Sequence, residues 1–181
     1  MKISLMKPST IIFRFLCPSL TLLLPSPLFV TWKKLGELRG CIGTFSHVPL
    51  YSGLEDFALR SAFRDTRFPP IALKELQHLS CAVSILHNFE EAHDSLDWEV
   101  GKHGIIIEFT CPRGVKRNAT YLPEVSSEQG WTKMEALVSL ARKAGHVGKV
   151  DKAMVSQMKL TRYESSKVHA SYGDYLASKV G

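Results

Sequence analysis

The sequence predicts an α+β fold, and three observations carry that reading. Residues 28–42 and 105–122 each alternate apolar and polar side chains on both sides of a turn, as antiparallel hairpins do. The stretches after Ser52 and Thr132 repeat apolar residues at helical spacing behind capping signals. Strands and helices also interleave irregularly, which separates the chain from regularly wound α/β proteins. The expected architecture is an antiparallel or mixed sheet flanked by helices.

Leu28 to Lys33 reads as the first strand, Lys34-Leu35-Gly36-Glu37 as a turn, and Leu38 to Ile42 as the returning strand. Ser52-Gly53-Leu54-Glu55 has the form of a capping box, in which hydroxyl and carboxylate satisfy reciprocal amides at a helix start. Leu54, Phe57, Ala58, Ser61 and Ala62 continue one helical stripe, bounded by Pro69-Pro70. Ser80 to Leu86 is a buried strand that leads into a polar connection. Ile105 to Thr110 and Lys116 to Leu122 pair through Cys111-Pro112-Arg113-Gly114, where proline and glycine supply the turn. Thr132 to Glu135 is a second capping box, followed by Met134, Leu137, Val138 and Ala141 on one stripe and Gly145 as a left-handed stop. Met158 to Glu164 closes the pattern as a late strand that Val168 to Tyr172 either continue or pair with.

A chain of 181 residues, 45% hydrophobic and 22% charged, is long enough for one domain with a proper core. Its net charge of +6 invites a nucleic-acid reading, but half of that charge is Lys2, Lys7 and Arg14, in a segment without acidic residues. Beyond it, basic and acidic residues mix and no arginine-rich or aromatic-basic stripe occurs, so direct nucleic-acid binding is disfavoured. Cys17, Cys41, Cys81 and Cys111 are spaced too widely for a zinc half-site and are too few for a disulfide-built secreted protein. No metal and no cofactor is expected, and a reducing compartment fits best. No phosphate-binding loop, dinucleotide fingerprint or nucleophile elbow is present.

The chemistry-bearing feature is Leu38-Arg39-Gly40-Cys41-Ile42-Gly43. On an extended strand Arg39 and Cys41 share one face, while Leu38, Gly40 and Ile42 occupy the other. A cation near a thiol favours the nucleophilic thiolate, and Gly40 and Gly43 let a ligand or another backbone come close. A second constellation, Asp65 and Arg67 before Phe68-Pro69-Pro70, either clamps a polar ligand or anchors a rigid loop. Asp97 and Glu99 would share a face of an extended segment, as paired carboxylates do, though a solvated turn edge is the commoner explanation.

The hexapeptide resembles the signature of the AMMECR domain family. Pro27 to Lys33, Ser52-Gly53-Leu54 and Asp65 to Pro70 agree with it, as do Asp97 to Gly101 and His103-Gly104-Ile105. Tyr121 to Val125, Glu128 to Trp131 and Lys159 to Tyr163 extend the likeness over about residues 27–175. The resemblance implies a two-lobed α+β domain over 27–181, with residues 1–26 a divergent apolar segment. Phe15 to Trp32 is an uncharged run of 18 residues, yet it holds three prolines and its end matches a domain interior. A membrane span or secretory signal is therefore not expected, and an alternative exon or gene-model difference accounts better for the start.

Two functional expectations follow. In one, the chain is a regulatory or protein-interaction module of the cytoplasm or nucleus, the setting that eukaryotic relatives suggest, with a protein partner. In the other, it is an enzyme in which Cys41 attacks a small or peptide-like substrate, Arg39 favours the thiolate and His103 moves protons. His103 is preferred over the nearer His47 because it lies between glycines in a matched segment. Gly40, Gly43, Asp65 and Arg67 would then line the binding site.

Overall fold

The computed structural model describes residues 24–111 and 114–178, which form two compact units. The first runs to Leu86 and resumes at Ser166, and the second is His87–Ser165. The six strands are β1 (Ser26–Lys34), β2 (Glu37–Val48), β3 (Leu79–Glu91), β4 (Gly104–Thr110), β5 (Lys116–Tyr121) and β6 (Lys159–Ser171). The first unit carries the order β2-β1-β3-β6 and the second β3-β6-β4-β5. The β1–β2, β1–β3, β4–β5 and β4–β6 pairs are all antiparallel. Residues 1–23, which hold most of the N-terminal segment set apart above, lie outside the described residues. Among the described residues no helix is long and apolar enough to cross a membrane, and Ser26–Trp32 of the uncharged run belongs to β1.

In the first unit, alternation turns Leu28, Val30 and Trp32 of β1 inward beside Cys81 and Val83 of β3. Helix α1 (Leu50–Phe63) packs Leu54, Phe57 and Ala58 onto them, and Trp32 Nε1 donates to Ala58 O at 3.1 Å. The turn between β1 and β2 is tight, with Leu35 and Gly36 both at positive φ. One sequence expectation fails here. Ser52 and Glu55 form no capping box, because the helix begins at Leu50 behind Pro49 and Ser52 Oγ donates to Pro49 O instead. The helix also ends at Phe63, before Asp65 rather than at Pro69, and a 3-10 turn over Leu73–His78 follows the loop.

The second unit packs α3 (Lys133–Lys143) across β4 and β6, joining Leu137, Leu140 and Ala141 to Ile105, Ile107 and Leu160. Its capping box is real: Thr132 Oγ1 accepts from Glu135 N–H at 3.3 Å, and Glu135 Oε2 accepts from Thr132 N–H at 2.9 Å. Gly145 ends it at φ +81°. Tyr121 and Trp131 pack together against this core at 5.8 Å. Met158–Glu164 and Val168–Tyr172 resolve into the single strand β6, followed by α5 (Tyr172–Ala177). Two further short helices are α2 (Pro123–Glu128) and α4 (Lys152–Ser156).

Candidate functional site

The hexapeptide lies in β2, which pairs on one side with β1 and is an edge strand. Alternation holds from Gly40 to Gly43, but Trp32 pairs with Gly40 and Lys33 with Leu38, so Arg39 is an extra residue at a register shift and the face it was expected to share with Cys41 is interrupted there. Gly40 faces α1, where an added Cβ would run into the Ser61 carbonyl, so only glycine lets this helix and strand come so close. Gly43 faces the other way, and a Cβ there would strike the Phe29 ring and the Leu28 carbonyl. These glycines serve protein packing in the described residues.

Cys41 stands opposite Thr31 of β1, whose hydroxyl donates to Sγ at 3.1 Å. Its own backbone points outward to the sheet edge, where a neighbouring strand is missing. Two side chains stand in for that strand. Asp65 Oδ2 accepts Cys41 N–H at 2.9 Å, and Arg67 Nη2 donates to Cys41 O at 3.1 Å. Asp65 and Arg67 are themselves joined, Nε to Oδ1 at 2.9 Å and Nη2 to Oδ2 at 2.6 Å. The Arg67 guanidinium, aided by the Cys41 amide, holds the Asp65 carboxyl far below the usual carboxylate range against the opposing effect of burial.

Arg39 spends its donors elsewhere. Its Nε and Nη2 grip Glu75 Oε1 and Oε2, each at 3.1 Å, and Nη1 donates to Pro69 O at 2.7 Å. Glu75 also accepts from Lys34 Nζ and Ala72 N–H, and Arg39 is the main reason its carboxyl is lowered to about 2. The cation whose field reaches the thiol is instead Arg67, whose proton affinity is raised chiefly by Asp65 and to a lesser extent by Cys41. Cys81, by contrast, faces the core, and burial pushes its thiol up to about 12.

His103 belongs to the second unit and is 7% exposed. Its Nδ1 accepts the Glu99 N–H at 2.9 Å, and Nε2 lies 4.0 Å from Glu164 Oε1. Asp97 accepts from Arg162 Nη1 at 2.7 Å, while Glu99 pairs loosely with Lys102 at 3.7 Å, so these two carboxylates do not act on one point. The structure thus brings Cys41, Asp65 and Arg67 together and joins Arg39 to the same loop. Thr31, Glu75, Asn88 and Glu164 escape sequence reading. Strand pairing could have pointed to Thr31, but nothing local marks Glu75 as Arg39's partner. The second unit also holds a cavity of about 460 Å³, lined by Glu108, Lys116, Asn118 and Lys159 among others.

Among the described residues no group of three or more histidine, cysteine, aspartate or glutamate side chains could hold a metal ion. What fold and site define is an α+β protein carrying a thiol on a sheet edge that an aspartate–arginine pair closes. The AMMECR1 family model matches residues 7–168, and the chain belongs to that family. An uncharacterized protein of Arabidopsis thaliana is 57% identical over 157 residues, covering 83% of this chain and 73% of its own. One of Schizosaccharomyces pombe is 46% identical over 140 residues, covering 77% and 70%. The crystal structure of an uncharacterized protein from Pyrococcus horikoshii matches with a TM-score of 0.68 at 28% identity, covering 82% of this chain and 75% of that one.

Proposed function

We propose that this chain is a protein-binding, regulatory module of the AMMECR1 family that presents the loop Asp65–Ala72 to a partner. One observation carries the reading: the charged groups around Cys41 are spent on holding backbone. Asp65 and Arg67 fix the start of the loop to β2, and Arg39 fixes Pro69 and its flank through the Pro69 carbonyl and Glu75. The loop is nonetheless accessible, with Thr66, Pro69, Pro70 and Ala72 exposed and Leu73 just beyond it 58% exposed. A rigid exposed loop loses little conformational entropy on binding, which is what a recognition element needs.

The second reading, a Cys41 nucleophile, draws support from the Thr31 hydroxyl, which donates to Sγ, and from the Arg67 guanidinium held at the Cys41 carbonyl. It lacks a base in the arrangement expected of it. With Nδ1 accepting a backbone proton, neutral His103 carries its own proton on Nε2 and offers no free lone pair. Capture from cell extract separates the two readings. A module keeps the same partners in Cys41→Ser and loses them at least tenfold in Arg39→Ala, whose far-ultraviolet circular dichroism stays native. Loss of every partner in Cys41→Ser alone would sink the module reading.

A further inference from the structure

His103 and Glu164 have no part in the loop described above, yet they are held with more care than a surface pair requires. The imidazole is more than nine-tenths buried, and Glu99 N–H fixes Nδ1 as an acceptor, so the ring aims an Nε2–H donor at Glu164. Nε2 stands 4.0 Å from Glu164 Oε1, too far for a hydrogen bond, and has no other partner among the described residues. Glu164 is held from behind, since Asn88 Nδ2 donates to its other oxygen at 3.0 Å. Asn88 does so from φ +54°, a left-handed backbone that a non-glycine residue seldom adopts and that clusters at functional sites.

A fixed donor and a fixed acceptor at this separation suit a single atom that accepts from one and donates to the other. A hydroxyl oxygen does both, and two bonds of about 2.8 Å would meet there at about 90°. Neighbouring charge narrows the class. The nearby Arg162 is already paired with Glu90 at 2.8 Å and Asp97 at 2.7 Å, while Glu164 contributes its own carboxylate to the gap. An anionic ligand would be repelled. We propose that His103 Nε2 and Glu164 Oε1 form a binding site for the hydroxyl of a neutral or cationic alcohol, with His103 donating to the oxygen and Glu164 accepting its O–H. This site stands independently of the loop function.

The test is nitrogen-15 NMR of the full chain carrying labelled histidine, titrated with matched probes that differ only by a hydroxyl. L-serinamide is compared with L-alaninamide, and acetyl-Gly-Ser-Gly-amide with acetyl-Gly-Ala-Gly-amide. The expected result is a saturable shift of His103 Nε2 with a serine probe, at least tenfold weaker with its alanine counterpart, and lost in Glu164→Ala. Response to serinamide alone assigns a small alcohol, and response to the peptide alone assigns a partner's side chain. Should neither serine probe move Nε2, water alone fills the gap and the proposal is overturned. Equal response to alanine probes, or an unchanged response in Glu164→Ala, overturns it as well. The comparison of probes on the natural chain decides the matter even if that variant does not fold.

Discussion

Arg39 and Cys41 lie two residues apart on β2, with the register shift at Arg39 between them, and their neighbours give them different tasks. Arg39 is only 12% exposed at its side chain and depends on Glu75 to balance its charge, so Glu75→Gln leaves a nearly buried guanidinium without its counter-ion. Urea unfolding of that variant should show a loss of about 3 kcal/mol, the usual scale for breaking a buried pair from one side. The pH dependence has a definite sign. A carboxyl lowered from 4.5 to about 2 stabilises the fold fully above 4.5 and loses that contribution as pH falls toward 2. Asp65, lowered in the same direction, adds to the same acid limb. Stability of Glu75→Gln should therefore fall less steeply than that of the natural chain between pH 4.5 and 2, as denaturant midpoints would record. Thiol alkylation gives a third check: Cys81, deep in the core, should stay unlabelled near neutral pH until the protein unfolds, while the half-buried Cys41 reacts. At this scale the sequence showed which residues matter more clearly than what they do. Arg39 was legible as a charged residue near a thiol and Asp65 as half of a separate pair with Arg67, but the partners they take at the 3-10 turn and the strand edge are not revealed by local spacing.

The elements divide between those set by local chemistry and those set by packing. Thr132 and Glu135 form the expected box because nothing competes for their amides, and Thr132→Ala should cost about 1 kcal/mol in thermal or urea unfolding. Ser52 and Glu55 have the same spacing but lie one turn inside a helix that starts at Leu50, where Leu50 and Leu54 are both buried in the core. Burial of those leucines outweighs a cap worth about 1 kcal/mol. The strands were legible through alternation, but their lengths were not: β2 runs on to Val48, which still pairs with Ser26 of β1, and β6 runs on to Ser171. Gly40 offers the sharpest test of this level. A methyl group at Gly40 would meet the Ser61 carbonyl on α1, so Gly40→Ala must push helix and strand apart and should lose about 3 kcal/mol or more. Unfolding with the stability of the natural chain would show that the strand and α1 do not approach as described.

For the whole molecule, the α+β class, the antiparallel pairing and the family were all readable from sequence, since alternation, caps and ordered motifs are local signals that add up. The two units were not readable by such signals. β3 and β6 each run across the boundary as one strand, and the left-handed Asn88 just past it in β3 carries no signal in the sequence, so the division follows from long-range contacts. Function is the least legible level, because the relatives are uncharacterized and the motif residues carry architectural contacts that do not by themselves name an activity. On the proposed reading the Cys41 surroundings hold a recognition loop. Partner capture by the natural, Cys41→Ser and Arg39→Ala chains at equal folded concentration tests it most directly. Capture should be preserved in Cys41→Ser and reduced at least tenfold in Arg39→Ala. Capture lost in Cys41→Ser and preserved in Arg39→Ala would contradict it.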